Sequence, residues 1–213
     1  MRTIMVINAK GGCGKTTLAT NIAGFYANKG NSVAIADFDP QGSSLDWLKA
    51  RPEDRPEIIG INAADGSFRA PRNLDTLILD VPAAVHGKIL TALVRRAESL
   101  VIPVLPSPID MRAAAHFIEE LLLVGKVNRD EVKLAVVANR VKENTLIFHT
   151  LEKFLKRLKI PRIATLRDTQ NYIRSAERGV SIFEMAPSAV QHDLDQWRSL
   201  TRWLNSKRSI ASS

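Results

Sequence analysis

The stretch Lys10-Gly11-Gly12-Cys13-Gly14-Lys15-Thr16-Thr17 constrains this chain more than any other. A short apolar run, Ile4-Met5-Val6-Ile7, precedes it, and an apolar-periodic segment, Leu18 to Tyr26, follows. The order is strand, glycine-rich turn, helix. Glycines let the backbone bend tightly and bring its N–H groups close to a ligand. Successive N–H groups and the positive end of a helix together make a concave anion site. In that setting Lys15 reaches the outer phosphates of a nucleotide, and Thr16 offers a hydroxyl to Mg²⁺. A chance glycine turn has no reason to carry all three signals in this order.

Strands that end on carboxylates follow. Ser32–Phe38 is a continuous apolar run of the kind buried in parallel sheets, and it leads into Asp37-Phe38-Asp39-Pro40-Gln41. Thr76–Val81 is a second such run, with Asp80 near its end. Open α/β sheets bind ligands at the carboxyl ends of their strands. Asp37, Asp39 and Asp80 are therefore expected beside the glycine loop. The remaining pattern predicts strands over Thr3–Asn8, Ser99–Val104, Val132–Asn139 and Ile160–Leu166. Helices are predicted from Lys15 to about Asn28, within Gly42–Arg51, and over His86–Arg96, Met111–Val124, Asn144–Leu158, Tyr172–Gly179 and Ala189–Asn205. Residues 52–72 show no period and read as a loop with a short edge strand. The segment Leu105-Pro106-Ser107-Pro108-Ile109-Asp110 reads as a proline-stiffened turn. This alternation predicts an α/β fold, a doubly wound, mostly parallel sheet with helices on both faces. Residues 1–205 form one domain in this reading, and the polar tail 206–213 frays.

The usual phosphate-loop pattern asks for glycine five residues before Gly14, where this chain has Ala9, and Lys10 opens the loop instead. K-G-G-x-G-K-T-T, together with the D-x-D-P-Q of Asp37–Gln41, resembles the deviant loop and second motif of the ParA/MinD family of ATPases. The resemblance runs from Met1 to about Leu204. It implies ATP and Mg²⁺ as cofactors, with the phosphates in the loop Gly11–Thr17. Lys15 and Asp39 are implied to be catalytic, Asp39 positioning the attacking water. Lys10 is implied to cross a dimer interface to the partner's phosphates, in the manner of a trans arginine finger. Thr16, Asp37 and Asp80 make the implied metal site. Asp80 corresponds to a Walker B carboxylate, although Val81 stands where relatives commonly have threonine. Asn139 is implied to meet the adenine edge, and the backbone near Leu166 and Arg167 to flank the base.

Apolar content of 45% and charged content of 24% are those of a globular domain. Met1-Arg2-Thr3 leads directly into the first strand, so no signal peptide is expected. No apolar run approaches a membrane span. The single cysteine, Cys13, cannot form an internal disulfide and reads as a small side chain filling the loop; a cytoplasmic protein is expected. It also sets aside the iron-protein reductases that share the deviant loop, because their clusters need several cysteines. Net charge is +8, unevenly placed: residues 1–125 hold 13 basic and 13 acidic side chains, and residues 126–213 hold 17 and 9. Such asymmetry fits a polyanionic partner.

The implied partners are thus a second copy in the ATP state, DNA bound without sequence preference over the nucleoid, and an adaptor protein linked to a plasmid, chromosome or organelle cargo such as the carboxysome. Candidate DNA contacts are Lys142, Lys153, Lys156, Arg157, Lys159, Arg174 and Arg178. The alternative is a MinD-like ATPase bound to a membrane surface. Its only candidate anchor is the last helix, with Trp197 and Trp203 beside Arg198, Arg202, Lys207 and Arg208.

Overall fold

The computed structural model describes residues 1–83, 85–123 and 131–210. Among the described residues sixteen regular elements follow one another. The strands are β1 (Arg2–Val6), β2 (Val33–Asp37), β3 (Ile58–Asn62), β4 (Thr76–Asp80), β5 (Ser99–Val104), β6 (Lys133–Val141) and β7 (Arg162–Arg167). The helices are α1 (Lys15–Ala27), α2 (Ser43–Lys49), α3 (Gly87–Val94), α4 (Pro108–Leu123), α5 (Leu146–Arg157), α6 (Gln170–Glu177) and α7 (Pro187–Leu204). Short 3-10 turns cover Ile182–Glu184 and Lys207–Ser209.

The strands form one sheet in the order β3-β2-β4-β1-β5-β6-β7, and every pairing is parallel. The expected doubly wound sheet is found, with β3 as the short edge strand. The inner strands are buried on both faces and split their residues between two cores by period two, while the edge strand β3 leaves Gly60 and Asn62 exposed. Met5, Leu79, Ile102 and Val136 face the layer of α3, α4 and α5. Ile4, Ile78, Val101 and Ala135 face α1 and α7. Trp197, Leu200 and Leu204, the apolar stripe of α7, lie in this second core, and Trp203 is 9% exposed. The helix packs on the domain and has no apolar face to offer a lipid surface. Among the described residues no helix is long and apolar enough to cross a membrane.

Several ends differ from the sequence expectation. Helix α4 begins at Pro108, inside the segment read as a turn, and α7 begins at Pro187; a proline lacks only an N–H that the first helical turn leaves unpaired anyway. The expected end of α4 at Val124 lies outside the described residues. Strand β6 runs two residues past Asn139, and its register against β7 shifts between Ala138 and Val141, where Arg140 takes φ 52°. The tail is not frayed over Ser206–Ile210. Ser209 is fully buried, and its hydroxyl and carbonyl accept Arg2 Nη2 at 2.8 and 2.9 Å. Ser99 Oγ also donates to the Ser209 carbonyl, at 2.5 Å. Residues 211–213 lie outside the described residues.

A buried ion pair holds α2 beneath the end of α6. Glu184 closes a capping box on Ser181, accepting its N–H at 2.7 Å and its hydroxyl at 2.8 Å. Arg51 Nη2 donates to the other Glu184 oxygen at 2.5 Å, and the two side chains are only 6% and 0% exposed. Gly179, at φ 62°, lets this contact close: a Cβ there would sit 2.3 Å from the Arg51 nitrogen. Burial alone raises the pKa of Glu184, but the Arg51 and Ser181 donors more than offset it and hold the carboxyl below its ordinary 4.5. Glu184→Ala, which strands Arg51, is expected to lower unfolding stability by about 3–5 kcal/mol in urea denaturation. Because the folded-state pKa is depressed, the pair's contribution is present in full above the unfolded value and is lost as pH falls through the folded one. The parent should therefore lose stability more steeply below about pH 4.5 than Glu184→Ala does.

Candidate functional site

The glycine loop leaves β1 between its two neighbours, β4 and β5, where successive connections diverge to opposite sides of the sheet. That divergence opens a crevice at the carboxyl ends of the strands. Asn8 anchors the loop's start: buried, it donates to the Pro103 carbonyl at 2.7 Å, and its oxygen receives the Lys10 N–H at 3.4 Å. Gly12 and Gly14 take φ 74° and 93°, conformations that other residues adopt only with strain. Gly14 is fixed twice over, since a Cβ there would lie 2.3 Å from Asn139 Nδ2. That same amide donates to the Cys13 carbonyl at 2.8 Å, so β6 clamps the loop from the side.

The loop opens on a cleft of about 740 Å³. Gly11, Gly12, Gly14, Lys15, Thr16 and Thr17 form one wall, Asp39 and Asp80 another. Lys15 Nζ rests on the Lys10 carbonyl at 3.0 Å, poised at the loop's mouth. The same carbonyl receives the Cys13 thiol at 3.1 Å. Cys13 is fully buried, and burial raises its pKa, which makes it filler rather than a reactive thiolate. The ammonium of Lys10 has no partner among the described residues.

Register decides how the carboxylates meet. Asp37 and Asp80 are directly paired across β2 and β4, and Asp80 also pairs with Val6 at the end of β1. Asp80 is 3% exposed, and its carboxylate accepts the Ser44 hydroxyl and the side chain of Thr16. Burial pushes its pKa up to about 6, helped by Asp37 and opposed by the two hydroxyls and Lys15. A hydroxyl and a carboxylate that gains from a nearby cation are hard oxygen donors, and they fit Mg²⁺. Asp37 takes another part. Its Oδ1 accepts the Asp39 N–H at 2.9 Å, and its Oδ2 accepts those of Ser44 at 2.9 Å and Leu45 at 3.4 Å. Burial raises its pKa against those three donors. Asp37 does not line the cleft. It fixes the loop that carries Asp39 and presents Ser44 to Asp80, so it serves the metal site at one remove. Asp39 does line the cleft, and one of its oxygens accepts the Gln41 N–H at 3.0 Å.

At the far end the expectation shifts by two residues. Leu166 is buried in the core, and Arg167 turns to Asp193 on α7, with contacts of 2.6 and 3.2 Å. The cleft is lined instead by Asn139, Arg140, Asp168, Thr169, Tyr172 and Ile173. Arg140 Nε lies 3.5 Å from Asp168 Oδ1. The sequence reading passed over Arg140, Asp168 and Ser44; Arg-Asp-Thr directly after the last apolar run was the available signal for the second.

Residues 4–182 match the family described as the CobQ/CobB/MinD/ParA nucleotide binding domain, and the chain belongs to that family of P-loop ATPases. Over 190 residues it is 30% identical to the maintenance of carboxysome distribution protein A of Halothiobacillus neapolitanus, covering 86% of this chain and 87% of that one. The chromosome-partitioning ATPase Soj of Thermus thermophilus is 29% identical over 137 residues, 49% of this chain and 55% of its own. Among solved structures, apo McdA of Cyanothece aligns with a TM-score of 0.75 at 16% identity, over 94% of this chain and 99% of that one. MinD of Pyrococcus horikoshii with Mg-ADP gives 0.70 at 14% identity, over 96% of each. At such identities these structures share the fold.

Gly14→Ala tests the clamp. The variant must either strain its backbone or displace Asn139, about 1–3 kcal/mol in either case. Affinity for a fluorescent ATP analogue is expected to fall at least about tenfold, while far-UV circular dichroism keeps the parent's shape.

Proposed function

We propose that this chain is an ATPase that binds ATP·Mg²⁺, pairs through Lys10, binds DNA without sequence preference in that state, and positions an intracellular cargo through an adaptor protein. The observation that carries the reading is the convergence of Lys15, Thr16, Asp39 and Asp80 on one cleft above a doubly clamped glycine loop. The likeness to a carboxysome distribution protein over nearly the whole of both chains favours an organelle as the cargo, with plasmid or chromosome as the related choices.

The residues divide the work by their chemistry. Backbone N–H groups of Gly12–Thr17 and the ammonium of Lys15 hold the phosphates. Thr16 and Asp80 would hold Mg²⁺, which neutralises phosphate charge when bound. Asp39, its loop fixed by Asp37, orients a water through the oxygen that Gln41 does not engage. One amide proton of Asn139 is committed to Cys13, which leaves its other N–H and its oxygen for the adenine edge. Lys10 needs a neighbour. Its own loop uses only its backbone N–H and carbonyl, and a second cation on a facing copy would stabilise the charge of the transferring phosphoryl group. Lys142, Lys153, Lys156, Arg157, Lys159, Arg174 and Arg178 are all exposed, as a phosphate-binding surface requires. The MinD-like alternative gains nothing here, because the Trp197 stripe is already in the core.

Lys10→Ala is expected to bind ATP yet remain a monomer by light scattering in saturating nucleotide; ATP-dependent dimers of normal affinity would remove Lys10 from the interface. Asp39→Ala is expected to hold ATP and hydrolyse it at least about a hundredfold more slowly, leaving a persistent complex with duplex DNA in gel shifts. Flotation of the ATP form with anionic liposomes, and no DNA shift, would instead support the membrane reading.

A further inference from the structure

At the opposite end of the sheet from the nucleotide cleft lies a second depression, of about 170 Å³. Leu122, Val132, Leu134 and Ile160 give it an apolar lining, where α4 ends and β6 and β7 begin. Lys159 and Arg208 stand on its rim, both exposed and neither in an ion pair among the described residues. An enclosed apolar cavity of about 150 Å³ accepts a benzene-sized group; this depression has similar room but is open to solvent, and Lys133 and Pro161 also line it. The depression therefore suits one large apolar side chain flanked by negative charge.

Lys159 supplies a second, independent observation. It follows the last residue of α5, Leu158, and takes φ 55°. That position after a helix usually belongs to glycine, because a side chain in the left-handed conformation is strained. A lysine stands there against the backbone's preference, and strained positions of this kind cluster at functional sites. Arg208 is held with equal care. Its neighbour Ser209 is buried and pinned by Arg2 and Ser99, so the arginine cannot drift from the rim.

We infer that this depression is a docking site for an acidic protein segment that inserts a single apolar side chain, with Lys159 and Arg208 pairing its carboxylates. Charge complementarity selects the occupant. A DNA backbone has nothing apolar to insert, and about 170 Å³ is room for one side chain rather than for an acyl chain. The site lies away from the nucleotide cleft, so it goes beyond the ATPase reading; it claims Lys159, one of the seven candidate DNA cations, for this segment instead and leaves the other six to DNA.

The test uses the full chain and a fluorescein-labelled peptide of four glutamates around a central phenylalanine. Saturable binding is expected by fluorescence anisotropy, unchanged by an ATP analogue and abolished when serine replaces the phenylalanine. Lys159→Gly relieves the left-handed strain, so the variant should melt no lower than the parent while binding the peptide about three- to tenfold more weakly. Arg208→Ser should weaken it similarly. No saturable binding, or full binding by both variants, overturns the inference. Displacement of the peptide by duplex DNA would assign the cations to the DNA surface, and binding of anionic vesicles in preference to the peptide would assign them to lipid; either result also overturns it.

Discussion

The clamp between Asn139 and the glycine loop is the contact on which the rest of this molecule depends. A phosphate-binding loop is useful only if its N–H groups are aimed before the ligand arrives. Glycines make the required shape accessible but do not enforce it, since they lose more conformational freedom on ordering than any other residue. Here the enforcement comes from neighbouring strands. Asn8 ties the loop's start to β5, and Asn139 ties its centre to β6, against a glycine that has no room for a side chain. The bend thus becomes a property of the sheet, and the sheet is buried on both faces.

The same economy governs the acidic side. Three carboxylates at adjacent strand ends would repel one another if each faced the cleft alone. The structure separates their tasks by hydrogen bonding. Asp37 is satisfied by three backbone donors and works as scaffold. Asp80 is the one whose pKa rises to about 6, because burial is only partly answered by two hydroxyls and Lys15. A carboxylate in that condition gains most from an incoming divalent cation. Asp39, on a loop outside the strand, stays closer to solvent and lines the cleft, with one oxygen engaged by the Gln41 N–H.

Much of this was legible in the sequence because the signals are short-range. Lys10–Thr17 between an apolar run and an apolar-periodic segment fixes strand, loop and helix locally, and the carboxylates sit where parallel strands end. What stayed hidden depends on register and on contacts between distant segments. Nothing near Ser44 says that its hydroxyl will find Asp80, since that follows from the pairing of β2 with β4. The side chains lining the cleft's far wall are those of Asp168 and Thr169, and the register shift beside Arg140 that accompanies them leaves no periodic trace. The tail read as polar and loose because its burial rests on Ser209 reaching Arg2, a contact made between opposite ends of the sequence. The starts of α4 and α7 were placed at Met111 and Ala189, three and two residues past Pro108 and Pro187, since proline is equally at home in a turn and at the first position of a helix.

Charge and strain fall into the same geography. The electrically balanced first part of the chain, residues 1–125, supplies the loop, the three carboxylates and the strands that hold them. The basic remainder supplies β6 onward, and with it Asn139, Arg140 and the cations of α5 and α6. The carboxylates and the excess of basic side chains therefore lie in adjoining halves of one sheet, joined where β5 pairs with β6. The non-glycine residues with positive φ, Arg140 and Lys159, both lie in the basic half, one at each end of the sheet. Both are cations, and each lines a different depression. Strain at such positions is tolerated where the surrounding packing over-determines the backbone. A sheet packed between two helix layers meets that condition at both of its ends, with the nucleotide cleft at one and the smaller depression at the other.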